Sequence, residues 1–128
     1  MSTLLAPPSA RVAITAFNRI ADRWVLDMPQ RALLLGRSER TVYRWAKSGG
    51  AGEETRPIQR DTLERISLLI GIYEDIRAFF GAGPAADEWI RRPNADFGGD
   101  PPLRRLLAGN VGDIVDVRRY LGAARQGL

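Results

Sequence analysis

Residues 28–47 read MPQRALLLGRSERTVYRWAK. Two short helical segments meet at a glycine here. Asp27, just before the stretch, carries a side chain that can accept from the first free amides of a helix. Pro29 falls in the first turn, where its missing N–H costs little. Gly36 suits the left-handed residue that ends a helix. Ser38 then caps a second segment, ERTVYRWAK. Helix, glycine turn, helix is the physical form of a helix-turn-helix. Ala32 is the small residue where the two helices approach, and Val42 and Trp45 point back toward a core.

Working outward, Ile14, Phe17, Ile20, Ala21 and Trp24 recur at spacings of three and four. They predict an amphipathic helix over roughly residues 9–26. Downstream, SGGAGEETRP at residues 48–57 is the clearest loop in the chain. Residues 58–80 are the longest helix candidate. Ile66, Leu69, Tyr73, Ile76 and Phe80 form one stripe, and Leu68, Ile72 and Phe79 a second beside it. So wide an apolar arc predicts burial on most sides, as a central helix or as part of a dimer seam. Gly81 and Gly83 end it. Three short helices follow. The first is opened by Pro84, carries Trp89 and Ile90 and is closed by Pro93. The second is capped by Asp100, with Pro101 in its first turn, and runs to Gly109. The third is capped by Asn110 and turns Val111, Ile114, Val117 and Leu121 inward. No period-two run of any length occurs, so the fold class is all-α: an N-terminal helix-turn-helix, a long central helix and a C-terminal module of three short helices. The divisions are a flexible N-terminus at 1–9, a helix-turn-helix domain with trailing loop at 10–57, the central helix at 58–81 and the module at 82–128.

Composition narrows the function. The chain has 128 residues, 45% of them hydrophobic, enough for a real core. It contains no cysteine and no histidine. That removes disulfides, the usual zinc sites and histidine-based acid–base chemistry. Asp87, Glu88, Asp96 and Asp100 cluster in sequence, but they flank turns or cap a helix, and nothing supplies a nucleophile or a phosphate loop. We read the chain as a non-enzyme that needs no cofactor. No apolar run approaches bilayer-spanning length, and the start MSTLLAPPSA lacks the basic segment and long apolar core of a secretory signal. The expected location is cytoplasmic, with no membrane contact. The net charge is +4, and all but one of the 19 basic residues are arginine. An arginine excess fits phosphate, an acidic protein partner, or simply a GC-rich genome.

If the second helix of the 28–47 unit docks on DNA, its first turn and outer face present Ser38, Glu39, Arg40, Tyr43, Arg44 and Lys47 to the major groove. Arg40 or Arg44 suits guanine, while Lys47 and Arg37 suit phosphates. Glu39 either accepts from cytosine or serves the helix N-terminus. The plainer alternative is a three-helix scaffold that has lost its DNA role.

Two resemblances sharpen this reading. GRSERTVYRW resembles a phrase common in prokaryotic helix-turn-helix domains. Arg31 and Arg37 depart from that pattern, standing where it usually has apolar residues, though long arginine stems can cover apolar surface. Residues 85–127 are similar to the C-terminal toxin-binding domain of Xre/MbcA/ParS-type antitoxins. The likeness is carried by Trp89, Pro93, Asn94, Phe97, Gly98, Gly99, Pro102, Leu106, Leu107, Gly109 and the final VRRYLGAARQG. The two likenesses together cover about residues 10 to 127. They imply the antitoxin of a type II toxin–antitoxin system. Its partner would be a RES-domain toxin that consumes NAD or uses it to ADP-ribosylate a target. The antitoxin blocks the NAD site of that toxin in a hetero-oligomer. Operator DNA, repression of its own operon and a homodimer are implied as well. The alternative is a stand-alone helix-turn-helix transcription regulator.

Most of the motif residues read as architecture. Trp89, Phe97, Leu106 and Leu107 suit a core, Asn94, Gly98 and Gly99 set turns, and Pro93 and Pro102 mark helix boundaries. We place the toxin contact on the last helix and tail, at Arg118, Arg119, Arg125, Gln126 and Leu128. Either the Leu128 carboxylate would mimic the pyrophosphate anion of NAD, or at least one of the arginines would pair with catalytic acids of the toxin. The plainer role for these arginines is to cap the last helix and face solvent.

Overall fold

The computed structural model describes residues 10–51 and 58–126. The expected flexible start at 1–9, part of the expected loop (52–57) and Leu128 lie outside the described residues. Within them are seven α-helices and no strand: α1 (Ala10–Arg23), α2 (Met28–Leu35), α3 (Glu39–Ser48), α4 (Arg60–Phe80), α5 (Pro84–Glu88), α6 (Pro102–Leu106) and α7 (Val111–Arg125). Two 3₁₀ turns, Trp89–Arg91 and Ala95–Phe97, lie between α5 and α6. The all-α expectation holds. No helix among the described residues is long and apolar enough to cross a membrane.

The caps read from sequence form as expected around α2 and α3. Asp27 accepts from the Gln30 amide at 2.8 Å, and the Gln30 side chain accepts from the Asp27 amide at 3.0 Å, closing a capping box. Gly36 adopts φ 64 and ends α2. The backbone angle favours glycine here, and a Cβ would lie 3.1 Å from the Arg65 guanidinium carbon, which would have to give by a few tenths of an ångström. Ser38 accepts from the Thr41 amide at 3.1 Å and opens α3.

α4 is central. It packs against α1 on one side and α7 on another, and Ile66, Leu69, Ile72 and Ile76 are fully buried. Trp24 of α1's end lies 6.3 Å from Tyr73, and Arg23 reaches Ala82, so α1 and α4 run in the same direction. α7 follows them: Arg65 touches Gly109, just before α7, and Asp75 touches Arg118 and Arg125, further along it.

The C-terminal ends of the first three helices are capped from a distance. Arg65, 9% exposed, donates to the carbonyls of Leu34 at 3.3 Å and Gly109 at 3.0 Å, while its Nε pairs with Asp61 at 2.9 Å. Arg91 donates to the carbonyls of Trp24 at 2.7 Å and Val25 at 3.0 Å. Asn18 and Thr15 of α1 donate to the carbonyls of Trp45 and Gly49 at the end of α3. Most of these caps answer carbonyls that a helix end leaves without an internal partner, whereas the Trp45 carbonyl also accepts from the Gly49 amide at 2.9 Å. Arg31, which departs from the usual helix-turn-helix pattern, is 7% exposed. It donates to Leu26 O and Asp22, both at 2.9 Å, and so ties α2 to the end of α1.

Four expectations are corrected. α1 stops at Arg23 rather than near Leu26. The Leu26 amide returns to the Ala21 carbonyl at 2.9 Å, a Schellman-type closure that places Val25 at φ 56. α6 is entered one residue later than expected. Pro101 is the N-cap and Pro102 sits in the first turn, while Asp100 pairs with Arg104 at 3.5 Å. Asn110 precedes α7 but makes no side-chain cap. Finally, Phe79 and Phe80 are 46% and 41% exposed although both fall in apolar stripes. α4 outruns its neighbours there, and residues 79–85 form an exposed strip without a charged side chain.

Val25 is the one non-glycine residue with positive φ among those described, and it is 75% exposed. A β-branched side chain in this region is strained by about 1–2 kcal/mol. Its side chain contributes little packing in return. Val25→Gly is expected to raise stability by about 0.5–1 kcal/mol, the strain released less the added chain entropy. Urea denaturation monitored by helical circular dichroism checks this, and a loss of stability would contradict it.

Candidate functional site

Two surfaces hold the residues singled out from sequence. The first is the outer face of α3. Arg40, Tyr43, Arg44 and Lys47 are exposed and, with Ser48, line one shallow hollow. Their spacing of three and four puts them on one side of the helix, with Val42 and Trp45 buried on the other. Lys47 Nζ stands 5.6 Å from the centre of the Tyr43 ring. Glu39 is the acidic residue of the first turn, where it suits the helix dipole. Ser38 is spent on the cap. Arg37 is set apart from the hollow: it is half-buried, with its guanidinium 5.9 Å from the Trp45 ring centre. The structure thus brings four of the six expected DNA-binding residues onto one exposed face.

The second surface is built on α7 and the turns before it. Arg118 and Arg125 are seven residues apart, two helical turns, and so share a face. Both donate to Asp75 of α4, Arg118 through one carboxylate oxygen and Arg125 through the other at 2.6 Å. Asp75 is 1% exposed. Arg119 lies about a quarter-turn further round and is exposed, as is Gln126 at the helix end. Leu128 lies outside the described residues. Of the expected toxin-binding set, two arginines therefore carry an internal ion pair and two residues face outward.

Beside them three aromatic rings meet. Tyr120 stacks on Trp89 at 6.3 Å between centres, and Phe97 meets Tyr120 edge-on at 5.0 Å. All three are half-buried rather than sealed in the core. The PNADFGGD segment presents Phe97. Asn94 accepts from the Asp96 amide at 2.9 Å, and the Gly99 amide returns to the Asn94 carbonyl at 2.9 Å. Gly98 and Gly99 take φ 70 and 87, consecutive left-handed residues that only glycine adopts readily. Arg105 lies 6.0 Å from the Phe97 centre and pairs with Asp116 at 3.2 Å. Rings and arginine together have the composition of a protein-contact patch. The Tyr120 hydroxyl donates to Asp96 at 2.6 Å. That bond, aided by burial, holds the phenol above its ordinary value of 10.0.

Sequence reasoning missed Asp75, Arg65, Tyr120 and Asp96 as structural partners. A signal did exist for Asp75. It is a lone acid among the apolar positions Leu68, Ile72, Ile76 and Phe79, and a buried charge demands a partner. Gly71, mid-helix, was a second signal.

The arrangement defines a helix-turn-helix protein with a basic outer face on α3 and a C-terminal helical module that carries a half-buried aromatic cluster. Family comparison agrees on both halves. Residues 4–71 match the antitoxin Xre-like helix-turn-helix domain, and residues 77–127 match the antitoxin Xre/MbcA/ParS C-terminal toxin-binding domain. The chain belongs to the Xre/MbcA/ParS antitoxin family, the antitoxin side of type II toxin–antitoxin pairs. It is also 43% identical over 122 residues to "Uncharacterized protein y4oB" of Sinorhizobium fredii, covering 93% of this chain and 90% of that one.

The Tyr120 phenol gives a pH prediction. Its folded-state value lies above the unfolded value, so its contribution is complete below pH about 10 and is lost as the pH rises through the folded value. Tyr120 is expected to ionise above its ordinary value, as a late step in an alkaline phenolate titration followed by ultraviolet absorbance. Tyr120→Phe should remove that late step. A late step that survives the substitution would refute the assignment.

Proposed function

We propose that this antitoxin binds a RES-domain toxin through the end of α7 and its tail, and blocks the toxin's NAD site. The observation that carries this reading is the construction of that end. α7 finishes on Arg125, tied to a buried carboxylate, with Arg119 and Gln126 facing outward beside it. A tail leaving such an anchor starts from a defined place, which favours insertion into a pocket because less ordering is needed on binding. Arg119 and Gln126 contact the rim. Arg118 and Arg125 serve the contact from behind. The exposed Phe79 and Phe80 add apolar surface at the same end of α4, of the kind protein partners cover.

The experiment is co-purification with the product of the neighbouring gene, followed by an assay of NAD consumption. Deleting residues 126–128 keeps Arg125 and the helix. This deletion is expected to weaken inhibition at least about tenfold, some 1.4 kcal/mol, with melting temperature unchanged. Full inhibition by the shortened chain would sink the tail contact, and failure of the intact chain to associate at any concentration would sink the partner assignment.

We further propose that α3 docks its outer face on operator DNA as part of a homodimer that represses the operon. Arg40 and Arg44 suit base edges and Lys47 suits a phosphate. Arg40→Ala is expected to cost about 1–3 kcal/mol and relax preference at one base pair. Lys47→Ala should weaken binding evenly across sequences and reduce the salt slope by about 1. Fluorescence anisotropy on the operator and on scrambled DNA, at several salt concentrations, measures both. Unchanged affinity in both variants would overturn the assignment of this face.

A further inference from the structure

We propose that Asn18 and Thr15 of α1 are positioning residues for the DNA-reading helix: bonded to the carbonyl end of α3, they set its tilt and with it the placement of Lys47. The inference rests on the docking of α3 proposed above.

Asn18 and Thr15 lie inside α1, where both residue types are among the less favourable helix formers. A mid-helix threonine hydroxyl commonly returns to a carbonyl three or four residues earlier in its own helix. Both side chains are half-buried and reach across to another segment instead. The Asn18 amide donates to the Trp45 carbonyl at 3.0 Å, and the Thr15 hydroxyl donates to the Gly49 carbonyl at 3.1 Å. Satisfying a helix end does not account for the Asn18 bond. The Gly49 amide already returns to the Trp45 carbonyl at 2.9 Å, and Gly49 closes α3 at φ 61. What the second donor adds is direction: it ties the end of α3 to one place on α1.

Gly50 supports this reading independently. It is buried, with φ 86, and a Cβ there would stand 3.0 Å from the Arg11 Cα. The backbone leaving α3 therefore lies directly on the backbone of α1. Arg11, Thr15 and Asn18 are spaced by four and three, so all three approaches fall along one stripe of α1.

The two ends of α3 are held differently. Its start is fixed by the turn after α2, through Gly36 and the Ser38 cap. Val42 and Trp45 are buried and decide which side of α3 faces the core. Beyond Trp45 no side chain of α3 is buried, so the ties from α1 hold its last turn. Lys47 stands in that turn, seven residues or about 10 Å beyond Arg40. Without the ties α3 would pivot about its start. Lys47 would leave its phosphate, while Arg40, close to the pivot, would keep its place.

The test is a double-mutant cycle on DNA binding. Asn18→Ala and Thr15→Val, the latter keeping the shape of threonine without its hydroxyl, are each combined with Lys47→Ala and with Arg40→Ala. Fluorescence anisotropy follows binding to a labelled duplex taken from immediately upstream of the gene. Salt is varied, at a temperature where circular dichroism shows each variant folded. We expect each α1 substitution to weaken binding about fivefold, the scale of one hydrogen bond. Each should also lower the salt slope by up to about 1, as Lys47→Ala does, although neither removes a charge. Lys47→Ala should cost less on the α1-substituted background than alone, whereas Arg40→Ala should cost the same. Thr15→Ser, which keeps the hydroxyl, should bind like the unaltered chain. A merely structural role lowers the melting temperature and leaves the salt slope where it was. An unchanged slope, full additivity with Lys47→Ala, or no loss of affinity would each overturn the proposal. If Lys47→Ala and Arg40→Ala alone leave affinity unchanged, the docking of α3 itself falls, and those arms identify that failure without reference to α1.

Discussion

The guanidinium of Arg65 is the junction on which the rest of the structure depends. It is nearly sealed from solvent and bonds at once to the end of α2, to the turn before α7 and to Asp61 on its own helix. α2 and α3 are eight and ten residues long, and α5 and α6 five each. Helices that short do not persist alone in water. They persist here because other elements cap their carbonyl ends and bury their apolar faces. Removing Arg65 would take their common donor from the Leu34 and Gly109 carbonyls, a larger penalty than the loss of an exposed ion pair. The same logic recurs at α1 through Arg91, at α3 through Asn18 and Thr15, and at the start of α2 through Arg31.

That recurrence changes the meaning of the arginine excess. From composition alone, the arginines suit phosphate, an acidic partner or a genome bias. The structure gives several of them partners within the chain itself. Arg31, Arg65 and Arg91 cap or tie helix ends, Arg118 and Arg125 hold α7, and Arg23 pairs with Asp87 at 2.8 Å. Guanidinium is suited to this work. It is weakly hydrated for a cation and offers several donors in a fixed plane, so one side chain can satisfy carbonyls from different segments. Net charge is thus a poor guide to how much of this surface meets nucleic acid. The disposition of Arg40, Arg44 and Lys47 on one face of α3 is a better one.

Much of the fold was legible because its punctuation is local. Asp27 with Gln30, Gly36, Ser38 and the glycines of the PNADFGGD turn act within a few residues, and periodicity located the core faces of α1 and α4. The caps of α6 and α7 were misplaced locally; the other misreadings share a cause, dependence on something distant. α1 ends at Val25 without a glycine because Trp24 anchors it and Arg91 caps it from 67 residues away. Phe79 and Phe80 continue an apolar stripe but lie past the end of the elements that bury it. Arg118 and Arg125 look like surface cations in α7, since their partner sits in another helix. At the candidate site, residue types and spacing identified the exposed face of α3. They did not separate the outward residues of α7 from the inward ones, because a half-exposed arginine reads the same whether its head group meets water or a buried acid.

The two surfaces are separated along α4. α3 ends against the first half of α1, near the start of α4, whereas Asp75 and the end of α7 lie toward its far end. Twenty-one residues of helix span about 30 Å. The α3 face and the end of α7 therefore stand toward opposite ends of α4. Any influence of one ligand on the other must then pass through packed elements, and the structure offers few routes. One runs along α4 itself. Another leaves the start of α7 at Gly109 and crosses through Arg65 to the carbonyls at the end of α2, one residue before the turn that sets α3. Both routes use α4, which the helix-turn-helix match covers up to residue 71 and the toxin-binding match enters at residue 77. The central helix is thus the shared wall of two functions rather than a linker between them, and a change in its packing would reach both.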